Sequence, residues 1–296
     1  MTKNLHINHP EDDILTGNAS VLDWLTEVSD ISVKMDGSVA IVWGTNPENG
    51  KFFVGKKSVF NKVKVQICYT HEDILKFYSD KEELADILST CLDFLPRHSG
   101  VYQGDWLGYG YTNVHTPNTL TYDFGSRPSS HILICPHTEY TGTSIREMTA
   151  SPLNTILEGT DDVTFIQPTV DCLSRAVAVD EVRAIFEQAT FLTEKRASEV
   201  KIVINAFIRE GKAISHEMMT LILGDEMLAN LYFCIIAQKG ILMGGMKVYD
   251  GPKVFLNGEP ADHEGYVRSN KHGCYKLVDR YVFSAANFNS GRFQRQ

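Results

Sequence analysis

Two lysines and two carboxylates stand in strand-like contexts where such residues are uncommon. Lys34 ends the run Ile31-Ser32-Val33-Lys34 and is followed by Met35-Asp36-Gly37-Ser38. An ammonium group in an apolar strand must find a partner or lose its proton. Asp105 follows a glycine in Tyr102-Gln103-Gly104-Asp105-Trp106, and Glu264 precedes one in Glu264-Gly265-Tyr266-Val267. Lys276 lies within Gly273-Cys274-Tyr275-Lys276-Leu277-Val278. Lysines that neutralise phosphate oxygens, beside carboxylates that hold a divalent metal, suit chemistry on a nucleoside triphosphate. Each peptide is weak by itself. A Lys-x-Asp-Gly tetrapeptide alone reads as an edge-strand lysine beside a turn that Gly37 allows to be tight. The order of all four along the chain gives them weight.

The elements that must position these residues are legible from periodicity. Residues 20–29 carry Val21, Leu22, Leu25 and Val28 at helical spacing. Strand runs follow at Ile31–Lys34, Val39–Trp43 and Lys51–Val54, the last two joined by Gly-Thr-Asn-Pro-Glu-Asn-Gly as a hairpin. Residues 71–95 predict one helix or two, stopped by Pro96. Strand signals return at 101–110, 118–124 and 130–140, and again from Lys253 to Phe283. Residues 178–239 switch to helical period, broken at Gly211 and Gly224. The expected fold class is α+β, with this helical block inserted before the last strands.

The 296 residues suit one large domain or two modest ones. With 43% hydrophobic and 22% charged residues, wholesale disorder and collagen-like or coiled-coil composition are excluded. The formal charge of −9 argues against coating nucleic acid by bulk charge, though not against a local basic groove. That charge is unevenly spread. Residues 1–30 hold one lysine against six acids, whereas from residue 241 eight basic residues face five acids. No leader-like start and no run of about 18 apolar residues is evident, so a cytoplasmic protein is expected. Six scattered cysteines without a C-x-x-C pair are read as reduced thiols. Cys135 and His137 share a strand face and could meet one metal, but with no third or fourth ligand evident, His131, Cys135 and His137 are read as structural or substrate-facing. The polar stretch from His137 to Gly142 reads as a turn or a binding loop. The methionines Met218, Met219 and Met227 read as packing.

The ordered peptides resemble the covalent nucleotidyltransferase superfamily of ATP-dependent DNA ligases, RNA ligases and mRNA capping enzymes. The resemblance is nearest to phage-type RNA ligases with a Lys-x-Asp-Gly-Ser nucleophile motif. Gly55-Lys56-Lys57-Ser58 is similar to that branch's second motif, Pro117-Asn118-Thr119-Leu120-Thr121-Tyr122 to the strand after its third, and Glu264-Gly265-Tyr266-Val267 matches its fourth unchanged. The resemblance covers residues 31–145 and 253–283. It implies an adenylyltransferase (ATP-grasp-like nucleotidyltransferase) fold of two antiparallel sheets around a nucleotide cleft. The domain would comprise 1–177 and 240–296, with 178–239 as a helical insertion.

The same resemblance implies roles. Lys34 would attack the α-phosphorus of ATP and hold AMP through a phosphoramidate bond. Asp36 would orient that nucleophile, Glu264 would bind Mg²⁺ (or Mn²⁺), Asp105 would hold the ribose or share the metal, and Lys276 would touch the α-phosphate. Lys57 or Lys56 would touch the nucleotide or the accepting strand, and Tyr122 or an aliphatic neighbour on the 130–140 strand would cover the adenine. The implied activity is ATP-dependent sealing of 5′-phosphate and 3′-OH ends, with RNA placed ahead of DNA as partner. Two departures stand out. The third motif usually carries glutamate where Asp105 stands, and the last usually has a second lysine where Val278 stands, which Arg268 or Arg280 would have to replace. Two other readings therefore stay open: a nucleic-acid-binding protein that has lost catalysis, and an adenylyltransferase acting on a non-nucleic-acid acceptor.

Overall fold

The computed structural model describes residues 7–173 and 179–284. Short helices α1 (Pro10–Asp13) and α2 (Ser20–Thr26) precede strands β1 (Asp30–Lys34), β2 (Ala40–Thr45), β3 (Phe52–Gly55) and β4 (Ile67–Cys68). Helices α3 (His71–Tyr78) and α4 (Glu82–Phe94) lead to β5 (Val101–Tyr109), β6 (Val114–His115), β7 (Leu120–Asp123) and β8 (Ile132–Thr141). Next come β9 (Thr149–Pro152), β10 (Val163–Phe165) and β11 (Thr169–Cys172). The helical block is α5 (Val179–Phe186), α6 (Glu194–Arg209), α7 (His216–Leu223) and α8 (Glu226–Gly244). Strands β12 (Met246–Tyr249), β13 (Lys253–Leu256), β14 (Glu259–Pro260), β15 (Gly265–Asn270) and β16 (Gly273–Val278) follow. The class is α+β, as expected.

The chain divides into two compact units. The first takes Lys34–Pro168 and Asp250–His263; the second takes Ile7–Val33, Thr169–Tyr249 and the chain from Glu264.

In the first unit a seven-stranded sheet runs β10-β8-β5-β2-β3-β4, with β9 also on β8. Its pairings are antiparallel except β10 with β8. Alternation along β2 sends Ile41 and Trp43 to one face and Val42 to the other. The Ile41 face packs under Ile74, Leu84, Leu88 and Cys91 of α3 and α4. Each fully buried large apolar side chain contributes about 2–3 kcal/mol. Thr70 and Asp73 form a reciprocal capping box that starts α3. The α3–α4 run ends at Phe94 because Leu95, the residue before Pro96, is driven to extended ψ. A four-stranded sheet, β14-β13-β7-β6, completes the unit.

In the second unit β1, β15 and β16 form one sheet, and β11 pairs with β12. The breaks expected at Gly211 and Gly224 are present, both glycines at positive φ, 65° and 78°. The expected helix start at residue 178 lies outside the described residues, and the helical block ends at Gly244 rather than 239. Against the expectation that no stretch is long and apolar enough to cross a membrane, α8, with 19 residues, meets that test by length and composition. It packs on α1, α5 and α7, and its Lys239 pairs with Glu11 at 2.5 Å, as a core helix does. The described cysteines are free thiols, and Cys68, Cys91 and Cys135 are buried.

Candidate functional site

Lys34 is the last residue of β1 and the first residue of its segment of the first unit. Directly after it the chain is pinned. The backbone N–H of Asp36 donates to the Tyr122 hydroxyl at 2.6 Å. The Asp36 carboxylate, 5% exposed, accepts from Asn118 Nδ2 at 2.9 Å and from the Thr119 N–H at 3.0 Å. These bonds tie the Lys-x-Asp-Gly loop to the segment 118–122 that the resemblance had singled out. The carboxylate thus holds the loop's shape.

Gly37 is needed for close approach rather than for a left-handed turn. A Cβ there would lie 2.5 Å from Asp105 Cβ and 2.8 Å from the Trp106 carbonyl oxygen. The Ser38 N–H donates to that carbonyl at 3.0 Å, so the loop lies along β5 and brings Asp105 under it. Gly104 serves the same end across the sheet, where a Cβ would lie 2.6 Å from the Cys135 carbonyl oxygen.

Asp105 is the electrostatic centre of this group. Its side chain keeps 16% of its surface, and His137 Nε2 stands 3.7 Å from its Oδ2. Burial alone would raise its pKa, but His137 and the ammonium groups of Lys34 and Lys57 more than offset it and hold the carboxyl below its ordinary range. Lys57 opens the 3-10 turn Lys57–Phe60. Crowding by the surrounding protein lowers its pKa, the Asp105 carboxylate raises it and the Lys34 ammonium lowers it again. The first unit therefore gathers three cation-capable side chains around one carboxylate.

In the sequence His137 reads as a structural or substrate-facing residue. It lies inside β8, which continues to Thr141, so the turn or loop expected from His137 onward is a strand. Its Nδ1 is 2.7 Å from Thr138 Oγ1, and its Nε2 is 3.4 Å from Gln103 Nε2. Gln103 Oε1 in turn accepts from the Tyr140 hydroxyl at 2.8 Å. The register irregularity between Gln103 and Gly104 sets His137 against Asp105, a bulge that simple alternation does not reveal. His131 is elsewhere, 2.8 Å from Asp162.

Two expected site residues are engaged in support. Tyr122 has no exposed surface, so its ring offers no face to an adenine; its hydroxyl supports the Asp36 loop instead. Arg268 is 6% exposed, and its guanidinium donates to the carbonyls of Trp24 at 2.9 Å and Glu27 at 2.7 Å while lying 4.8 Å from the Trp24 ring centroid. It closes the C-terminal end of α2. Arg280 is likewise engaged, with Asp12 at 3.0 Å and Asn205 at 2.7 Å.

Glu264, Lys276 and Val278 belong to the second unit. Lys276 sits on β16 opposite Val267, and Val278, opposite Gly265, is buried.

No group of three or more His, Cys, Asp or Glu side chains able to hold a metal ion occurs among the described residues. A magnesium ion that arrives with nucleotide phosphates needs only one or two protein carboxylates. An ionised, partly accessible Asp105 fits that mode.

No curated protein and no solved structure matches the chain. One family, described as "Family of unknown function (DUF6267)", matches residues 4–229 and 223–292. These two stretches together run through nearly the whole sequence, and the chain belongs to that family.

Proposed function

We propose that the protein is an ATP-dependent polynucleotide ligase, with RNA ahead of DNA as substrate, working through a covalent lysyl-AMP. The observation that carries this reading is the Asp105 carboxylate, within 3.7 Å of His137 and lowered in pKa also by the charges of Lys34 and Lys57, beside a loop pinned by Asp36. A nucleophilic amine next to a second ammonium and an ionised carboxylate is suited to a triphosphate: cations attract the phosphates and the carboxylate orients the amine. The Lys34 nitrogen would form a bond to the α-phosphorus as the bond to pyrophosphate breaks, and the amine would lose its proton. Sealing would then pass AMP to a 5′-phosphate, and a 3′-hydroxyl would displace it. Mg²⁺ or Mn²⁺, when bound, supplies charge neutralisation at the phosphates.

The adenylyltransferase fold and a cytoplasmic setting belong to the same proposal. The first unit's two sheets are compatible with that fold. The roles implied for Glu264 and Lys276 rest on their motifs. A second reading, nucleic-acid binding without catalysis, is favoured by Val278, which is buried at the place where the motif expects a second lysine.

Incubation with ATP labelled at the α-phosphate, with Mg²⁺, separates the two readings. The expected result is a lysine-linked label that survives denaturing electrophoresis and is absent from Lys34→Ala. An unlabelled wild type, or undiminished label in the variant, sinks the ligase reading.

A further inference from the structure

Beside the Lys34 group, the first unit has a cavity of about 370 Å³ where Lys56, Lys57 and Lys81 converge. Phe77 and Tyr78 of α3 supply an apolar wall, and Asp80 is the one carboxylate of the lining. Lys81 comes from the turn between α3 and α4, far in sequence from the other two. Like charges gathered in one concavity repel, and an anion relieves that cost. Neither Lys56 nor Lys81 forms an ion pair among the described residues. Burial and then the Lys81 ammonium lower the pKa of Lys56.

We propose that this three-lysine cavity binds a phosphate group of a single-stranded polynucleotide, the acceptor strand of the ligase reading on which this inference rests. Its volume suits one nucleotide unit. Lys57 lines the cavity and is also one of the cations that lower the Asp105 pKa, which links the cavity to the Lys34 group. A polynucleotide is favoured over a free nucleotide by the surrounding charge. Residues 51–81 hold seven lysines against three carboxylates in a chain of net charge −9. Lys51, Lys62, Lys64 and Lys76 of this stretch are exposed and outside the cavity lining. Cations along a backbone with an aromatic wall are the usual means of holding single strands.

The test titrates the full-length chain against a short fluorescent single-stranded RNA bearing a 5′-phosphate, at several salt concentrations, for wild type and Lys81→Ala. Lys81 makes no capping side-chain bond at α4, so the variant should keep its fold, which circular dichroism checks. Loss of one phosphate contact should weaken binding and reduce the slope of log affinity against log salt by about one. Lys81→Arg should restore both, and AMP uptake on Lys34 should stay at the wild-type level. Unchanged affinity and slope in Lys81→Ala would overturn the proposal. A parallel loss of AMP uptake, or tighter competition by pyrophosphate than by unlabelled RNA, would also overturn it by assigning the cavity to the nucleotide's own phosphates. If the wild type takes up no AMP while RNA binding still depends on Lys81, the ligase reading fails and the phosphate site stands.

Discussion

At the scale of single residues, the candidate site shows how little of a motif is chemistry and how much is support. In the Lys-x-Asp-Gly-Ser run, Lys34 is the residue to which the proposal gives the reactive amine, Asp36 spends both oxygens on the segment 118–120, and Gly37 makes room for Asp105. One supporting residue gives a pH signature. His263 is buried, no partner for its Nδ1 occurs among the described residues, and its ring lies 6.4 Å from that of Tyr122. Burial lowers its pKa below the ordinary 6.5, with Asp262 pulling weakly the other way. The unfolded chain therefore takes up a proton near pH 6.5 that the folded chain refuses until lower pH. Stability from this group is complete above that value and is lost as pH falls toward the folded pKa. Urea titrations between about pH 7 and pH 5 should show a flatter pH dependence for His263→Phe than for wild type, and identical slopes would count against this account.

At the scale of elements, the local code was largely readable. The hairpin from β2 to β3, the two helices before Pro96 and the glycine breaks at 211 and 224 follow from turn formers, period and backbone freedom. Arg268 was not readable, because its partners are the carbonyls at the end of a helix more than 240 residues earlier. Lysine cannot span those carbonyls as a planar fork does. Arg268→Lys should therefore cost about 2 kcal/mol through lost charge-assisted bonds to buried carbonyls, read as a fall in the urea midpoint without a change in slope. A stability within error of wild type would show that α2 does not depend on this clasp.

At the scale of the whole molecule, the second unit is built from three separated stretches of chain. Its helical block depends on the first of them: Lys239 of α8 is bonded to Glu11, which has no exposed surface, and Arg280 reaches both Glu11 and Asp12. Breaking one partner from such a buried pair costs roughly 3–5 kcal/mol. A fragment comprising Thr169–Tyr249 alone should consequently lack a cooperative thermal transition by circular dichroism, whereas the full chain should show one. A sharp transition in the fragment would make the block an independent module. The sequence by itself determined the longer helices, the strands that carry the motif peptides and the residue types on offer for chemistry, because period, caps and glycine placement act over a few neighbours. Only the tertiary structure decided that His137 faces Asp105, that Lys81 joins Lys56 and Lys57, and that Arg268 and Tyr122 serve as supports. Those meetings depend on strand register, a bulge and sheet order, which are set by packing between segments far apart in the chain.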